Sequence, residues 1–119
     1  MAAVLVVDDD ADVLDAISEV LLAEGFTIHP AQGGTAAIRF LQKGPAPEAI
    51  LLDVRMNEVD GTSVSAFLRS NRGTRGVPIV FMTGDRNFRP AEAAQAVVLD
   101  KPFGVQELLD ALHAALRTP

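Results

Sequence analysis

Residues 4–10 read Val-Leu-Val-Val-Asp-Asp-Asp, four aliphatic residues followed directly by three carboxylates. A continuous run of aliphatic residues is typical of a strand buried on both faces, as in a parallel sheet covered by helices. Carboxylates crowded at the end of such a strand repel one another, and an extra proton or a bound cation relieves that repulsion. The stretch therefore predicts both a fold class and the position of a polar site.

Four more apolar runs follow the first along the chain. The five predicted strands cover residues 3–7, 26–28, 49–52, 78–82 and 96–99. Between them, apolar residues recur at helical spacing in the segments 13–21, 36–41, 64–68 and 108–116. One further helix, short or irregular, is predicted before the last strand, opening at Arg89-Pro90-Ala91-Glu92 with proline in its first turn. Five strands alternating with five helices predict an α/β fold with right-handed crossovers.

The ends of the first helix carry the expected capping residues. Asp10 and Asp12 are both candidates for its N-terminal cap, and a carboxylate there suits the positive end of the helix dipole. Gly25 follows the helix where a C-terminal cap belongs.

The composition and net charge of the chain argue against several classes of protein. The chain has 119 residues, a net charge of −6 and no cysteine. An acidic balance argues against a general nucleic-acid binder, because phosphate neutralisation requires a basic face. The absence of cysteine excludes disulfides and thiolate metal sites, and no segment approaches the roughly 20 apolar residues of a membrane span. A single domain, 1–119, in the cytoplasm and without membrane contact is the expectation.

Polar side chains follow the apolar runs at the point where each strand ends. Asp8 and Asp9 follow the first strand, Asp53 the third, Thr83 the fourth, and Lys101 comes just after the fifth. Because ligand sites collect at the carboxyl ends of parallel strands, we expect these side chains to meet. An all-oxygen ligand set favours a hard cation, Mg²⁺ first. A carboxylate beside Mg²⁺, an ammonium and a hydroxyl suits phosphoryl transfer onto that carboxylate.

Together these motifs resemble the receiver domain of two-component response regulators, the chemotaxis regulators included. The matching segments are VVDD (6–9), ILLDVRMNEVDG (50–61), IVFMTG (79–84) and DKPF (100–103), and the resemblance runs from residue 4 to about residue 116. It implies a flavodoxin-like, doubly wound, five-stranded parallel sheet of order 2-1-3-4-5. It also implies a single receiver domain with no output domain in this chain.

The resemblance carries over a role for each site residue. The family's metal ligands map onto the side chains of Asp8, Asp9 and Asp53 and the backbone carbonyl of Arg55. Asp53 corresponds to the phosphoacceptor, and Thr83 and Lys101 correspond to the residues that contact the phosphoryl group. The cofactor implied is Mg²⁺.

The function implied is signalling by phosphorylation. A sensor histidine kinase or a phosphotransfer protein would donate the phosphoryl group, and the modified domain would switch a surface that binds a downstream output protein or domain. No direct contact with nucleic acid is implied. The domain would catalyse only its own phosphorylation and dephosphorylation, so it is not expected to be an enzyme in the usual sense.

Three features depart from the family pattern. Val98 stands where the family usually has an aromatic residue that turns inward on activation, so that switch is absent or relocated. The stretch from Thr83 to Lys101 is shorter than usual, and Asn57 replaces a proline. Arg55 and Asp85, at positions that influence hydrolysis of the phosphoryl group in this family, are predicted to pair across the mouth of the site and slow that hydrolysis.

Other functions remain open on the residues alone. One is a receiver-like interaction module that works without phosphorylation, and another is a receiver fragment of a larger regulator or hybrid kinase. Two other classes fit the residues less well. An aspartyl-phosphate hydrolase would have Thr or Val at the position of Asp12. A flavodoxin-like cofactor carrier would have a loop rich in Thr, Ser and Gly instead of the three carboxylates.

Overall fold

A computed structural model describes residues 2–57, 59–90 and 96–117 of the chain. Within these residues lie five strands and four helices: β1 (Ala3–Asp8), α1 (Ala11–Ala23), β2 (Thr27–Gln32), α2 (Gly34–Lys43), β3 (Ala49–Asp53), α3 (Gly61–Ser70), β4 (Ile79–Thr83), β5 (Ala96–Asp100) and α4 (Val105–Arg117). The strands form one parallel sheet of order β2-β1-β3-β4-β5, which confirms the predicted topology. Among the helices described, none is long and apolar enough to cross a membrane.

The predicted short helix before β5 falls largely outside the described residues. Arg89 and Pro90, where it was expected to open, are not helical, and residues 91–95 are not described. The helix predicted last in the chain is therefore α4 in the present numbering.

The core has two layers, one on each face of the sheet. Val4 and Val6 of β1 point to the face covered by α1 and α4, and Leu5 and Val7 point to the face covered by α2 and α3. All four side chains are fully buried. Because helices cover both faces, the central strands need apolar residues at every position, which explains why the runs in the sequence do not alternate.

The strand β2 is longer than predicted. It runs from Thr27 to Gln32 and contains Pro30, whereas the prediction covered residues 26–28. The prediction was wrong because His29 and Pro30 interrupt the apolar run. β2 is an edge strand, where a proline is tolerated because its missing N–H can face away from the sheet.

One of the three carboxylates in the opening stretch serves as the N-terminal cap of α1. Asp10, not Asp12, is the N-terminal cap, and its carboxylate accepts hydrogen bonds from the backbone N–H groups of Asp12 (3.0 Å) and Val13 (3.4 Å). Gly25 follows the helix with a φ of 92°, a conformation that favours glycine. Asp10 therefore stabilises the helix, which leaves Asp8 and Asp9 for the site.

The N-terminus of α3 packs directly on the end of β3. A Cβ atom on Gly61 would lie 2.9 Å from the Cα of Val54 and closer still to the carbonyl oxygen of Asp53. Both of these are backbone atoms, which cannot move aside as a flexible side chain can. Glycine at this position therefore allows α3 to approach the backbone of Asp53.

Gly61→Ala is expected to lower the free energy of unfolding by about 1–3 kcal/mol, because the added methyl group must displace the backbone at Asp53 and Val54. Alanine is otherwise the better helix former, so a loss of stability would identify the steric cause. Gly73→Ala is the matched control, since a Cβ there meets nothing within 4 Å. Urea denaturation followed by circular dichroism suits this chain, which has no Trp or Tyr. Equal stabilities for the two variants would contradict the close approach.

Candidate functional site

The polar residues predicted from the strand ends meet at one edge of the sheet. Asp8 ends β1, Asp53 ends β3, Thr83 ends β4, and Lys101 comes directly after β5. The first three are 1%, 6% and 3% exposed, so each polar side chain is buried at the end of an apolar strand. Such side chains require polar partners. Asp8 and Asp53 meet the ammonium of Lys101, and the Thr83 hydroxyl accepts the backbone N–H of Asp85.

Three carboxylates form a cluster at this edge. Asp8, Asp9 and Asp53 each offer an oxygen atom, and these atoms lie within 4.8 Å of one another. Backbone N–H groups donate hydrogen bonds to two of these carboxylates: Asp8 accepts the N–H of Asp10 at 3.0 Å, and Asp9 accepts the N–H of Asn57 at 3.2 Å. The arrangement presents only oxygen ligands, the type that hard divalent cations prefer.

Lys101 bridges two members of this carboxylate cluster. Its Nζ atom lies 3.2 Å from Oδ2 of Asp8 and 3.4 Å from Oδ1 of Asp53. Partial burial lowers the pKa of Lys101, but the attraction of Asp53 and Asp8 outweighs that effect and the pKa lies above its ordinary value. The side chain therefore carries a positive charge between the two carboxylates.

One ammonium does not balance the negative charge of the site. Burial, followed by the repulsion of the Asp8 carboxylate, raises the pKa of Asp53 from 3.8 to about 6. Lys101 acts in the opposite direction but does not cancel the rise. The ionised form of Asp53 is thus disfavoured by its surroundings, as the crowded carboxylates of the sequence predicted.

A cavity of about 440 Å³ opens beside Asp53. It is lined by Asp53, Arg55, Thr83, Gly84, Asp85 and Lys101. Its size leaves room for a group larger than a water molecule next to the Asp53 carboxylate. Cationic, hydroxyl and carboxylate side chains therefore face a common space at the end of the sheet.

Arg55 and Asp85 form the predicted ion pair at this cavity. The Nη2 atom of Arg55 lies 3.8 Å from Oδ2 of Asp85, and the two side chains are 83% and 40% exposed. A pair that exposed contributes between nothing and about 1 kcal/mol, because water screens it. The contact can therefore open and close readily. Its predicted effect on hydrolysis stays a prediction, as does the role of the Arg55 carbonyl.

Three hydrogen bonds at the site were missed in the sequence. The N–H of Asn57 supports Asp9 across 48 positions of sequence, and no local pattern signals a contact of that kind. Asp85 was considered only as a partner of Arg55, yet its backbone N–H donates to the Thr83 hydroxyl at 3.0 Å and its carboxylate accepts the N–H of Asn87 at 2.9 Å. The spacing Asp85-Arg86-Asn87 is a turn signal that could have predicted the hydrogen bond between Asp85 and Asn87.

The departure at Val98 lies on the edge strand β5. Val98 pairs with Phe81 of β4 and is 38% exposed. Phe81, the register partner of Val98, does contact an aromatic ring: Phe88, from the loop after β4, meets it edge to face with centroids 5.2 Å apart.

Comparison with known proteins agrees with this geometry. The family model described as "Response regulator receiver domain" matches residues 4–113. The transcriptional regulatory protein PrrA of Mycobacterium tuberculosis is 36% identical over an alignment of 118 residues that covers 96% of this chain and 49% of PrrA. The chain thus spans about half the length of the curated relatives it matches.

Two solved structures share the fold over nearly their whole length. The chemotaxis response regulator CheY4 of Vibrio cholerae is 28% identical with a TM-score of 0.89, covering 98% of this chain and 99% of CheY4. The receiver domain of a sensor histidine kinase from Pseudomonas aeruginosa PAO1, solved with a magnesium ion in its active site cleft, is 27% identical with a TM-score of 0.85, covering 98% of both chains. This chain therefore belongs to the response regulator receiver domain family, the phosphoacceptor domains of two-component signalling, and is not a conventional enzyme.

Proposed function

We propose that Asp53 is the residue that accepts the phosphoryl group. Its carboxylate is the one member of the cluster that lines the 440 Å³ cavity together with Lys101 and Thr83. This placement carries the proposal, because it gives one carboxylate an open side for a phosphorus atom and surrounds that space with positive charge and a hydroxyl group. Receiver domains in general receive the group from a histidine kinase.

The carboxylate cluster fits Mg²⁺. We assign its ligands to the side chains of Asp8, Asp9 and Asp53 and the backbone carbonyl of Arg55. Support comes from the all-oxygen donor set and from the charges of the site, where the single ammonium of Lys101 lies between the carboxylates of Asp8 and Asp53. Further support comes from the magnesium ion in the related Pseudomonas aeruginosa receiver structure. When bound, Mg²⁺ would neutralise charge on the phosphoryl oxygens.

The residues of the chain would perform the transfer as follows. An ionised oxygen of Asp53 attacks the phosphorus of a phosphohistidine in line. A P–O bond forms as the P–N bond breaks, and the electron pair of the P–N bond stays on the imidazole nitrogen. The ammonium of Lys101 and the hydroxyl of Thr83 donate hydrogen bonds to the equatorial oxygens, where negative charge collects. The Asp53 carboxyl must be ionised to attack.

The partners proposed are a sensor histidine kinase or phosphotransfer protein and a downstream output protein or domain, in the cytoplasm. We propose no direct contact with nucleic acid or membrane for the receiver domain itself. A piece of a larger regulator or hybrid kinase would act through the same site.

A second candidate function rests on Val98. An exposed valine on β5 cannot make the inward turn of an aromatic ring, so the domain could act as an interaction module whose surface does not respond to phosphate. The two functions differ in one measurable property, which is whether the chain takes up a phosphoryl group.

Incubation with phosphoramidate and Mg²⁺ is expected to add one phosphoryl group, detected by intact mass spectrometry. Asp53→Asn and removal of Mg²⁺ with a chelator should each abolish the gain, because the first removes the nucleophile and the second removes the cation. Asp100→Asn is the matched control: it makes the same substitution at the end of β5, outside the carboxylate cluster. No gain in wild type with Mg²⁺ would favour the phosphate-independent module.

The raised pKa of Asp53 predicts how the stability of the metal-free protein changes with pH. The pKa is about 6 in the folded state against 3.8 for an ordinary Asp, so the folded state binds this proton more tightly than the unfolded chain does. The contribution of Asp53 to stability is therefore present below about pH 4 and is lost as the pH rises through 6. Asp53→Asn removes the charge and should be more stable than wild type at pH 8, by on the order of 2 kcal/mol.

The gain from Asp53→Asn should fall to near zero at about pH 3, below the ordinary Asp pKa of 3.8, where Asp53 is protonated in both the folded and the unfolded states. Urea denaturation in the presence of a chelator measures the difference, and Asp15→Asn, an exposed position on α1, controls for the change in net charge. A gain of equal size at both pH values would show that the Asp53 charge is not its cause.

Arg55→Ala is expected to shorten the lifetime of the phosphorylated protein by about two- to fivefold, the limit set by an exposed ion pair worth at most about 1 kcal/mol. Opening the contact with Asp85 would give water a freer path to the phosphoryl group. Loss of the added mass over time after donor removal measures the lifetime, with Arg86→Ala as the control for losing a neighbouring exposed arginine. An unchanged lifetime would refute the role of the pair.

A further inference from the structure

The loop that follows β4 is organised by Asp85. The backbone N–H of Asp85 donates to Oγ1 of Thr83 at 3.0 Å, and Oδ1 of Asp85 accepts the N–H of Asn87 at 2.9 Å. The carbonyl oxygen of Asp85 accepts the N–H of Phe88 at 3.1 Å. One residue thus takes part in three hydrogen bonds that shape the loop from Thr83 to Phe88.

Both ends of this loop are attached to the sheet. At one end, the carbonyl oxygen of Thr83 accepts the N–H of Lys101 at 2.7 Å. At the other end, the ring of Phe88 packs edge to face on Phe81, which is 1% exposed. The middle of the loop lies away from these two attachments, and there the carboxylate of Asp85 holds the turn through the N–H of Asn87.

The hydrogen bond to Thr83 decides how its hydroxyl group can act. A hydroxyl oxygen has one proton to donate and two lone pairs to accept with. The N–H of Asp85 occupies one lone pair, so the proton must point away from that N–H. Thr83 lines the cavity beside Asp53, and a proton directed into that space suits an anionic ligand. A hydroxyl oriented in advance needs no reorganisation when charge develops.

We propose that Asp85 is a positioning residue for phosphoryl transfer. Its carboxylate fixes the loop, the loop aims the N–H of Asp85 at Oγ1 of Thr83, and Thr83 is thereby preset as a hydrogen-bond donor to the phosphoryl group. This role is separate from the ion pair with Arg55, which uses the other carboxylate oxygen of Asp85. The inference rests on the proposed function, because it requires Asp53 to be phosphorylated.

The test compares phosphorylation rates with phosphoramidate at saturating Mg²⁺ by intact mass. Asp85→Ala removes the acceptor for the N–H of Asn87 and should slow the reaction by about three- to tenfold, the cost of losing one hydrogen bond. Asp85→Asn keeps an oxygen acceptor and loses only the charge, so it should stay within twofold of wild type. Asn87→Ala is the matched loop control, because it keeps the backbone N–H that Asp85 accepts.

A double-mutant cycle separates positioning from general damage. If Asp85 acts through the Thr83 hydroxyl, Asp85→Ala should add no further loss in a Thr83→Val background. For Asp85→Ala, Mg²⁺ binding by calorimetry should match wild type and thermal unfolding should stay cooperative, which would show an intact cluster and fold.

Three results would overturn the inference: a wild-type rate for Asp85→Ala, an equal loss for Asp85→Asn, or a loss that persists undiminished in the Thr83→Val background. In each of these cases wild type still takes up the phosphoryl group, so the proposed function stands. Failure of wild type itself to be phosphorylated would overturn the proposed function, and the inference with it.

Discussion

The buried negative charge at the end of β1 and β3 is the constraint on which the rest of the site depends. Asp8 and Asp53 are almost inaccessible to water, and two carboxylates about 4 Å apart repel by roughly 4 kcal/mol at an effective dielectric constant near 20. Lys101 reaches both and supplies the nearest positive charge. Burial and the Asp8 carboxylate still raise the pKa of Asp53 to about 6, so Lys101 does not fully offset them. A site in that state has a physical reason to take up a cation and to hold an anionic group only when that cation is present.

The three carboxylates of the opening stretch have three different surroundings. Asp8 meets Lys101, Asp9 meets the backbone of Asn57, and Asp10 caps α1. Their order along the chain follows from the geometry of a strand that turns into a helix, since the last residue of the strand lies deepest and the cap lies at the surface. The same principle applies at β3, where glycine at the start of α3 lets the helix approach the backbone of Asp53. The site is thus built from the junctions between strands and helices.

Much of this site could be predicted because each of its main residues stands directly after an apolar run or one position later. Asp53 and Thr83 end β3 and β4, and the topology that brings strand ends together follows from a parallel sheet. The errors have equally physical causes. The second half of β2 was not predicted, because Pro30 interrupts the apolar run. An edge strand nevertheless tolerates a proline. Asp85 was considered as a charge, whereas its hydrogen bonds within the loop after β4 are the stronger feature of its surroundings.

The sequence by itself determined the elements, the parallel sheet and the identity of the residues at its carboxyl edge, because these depend on local periodicity and on the position of polar residues relative to apolar runs. Tertiary structure alone decided how those residues act on one another. Lys101 lies between Asp8 and Asp53, partners that are 93 and 48 positions away in the chain. The pKa of Asp53 depends on burial and on the nearby carboxylate of Asp8, and the Thr83 hydroxyl takes its direction from a loop held against Phe81. Such properties change with distances of an ångström, and only the packing of strands and helices against one another sets those distances.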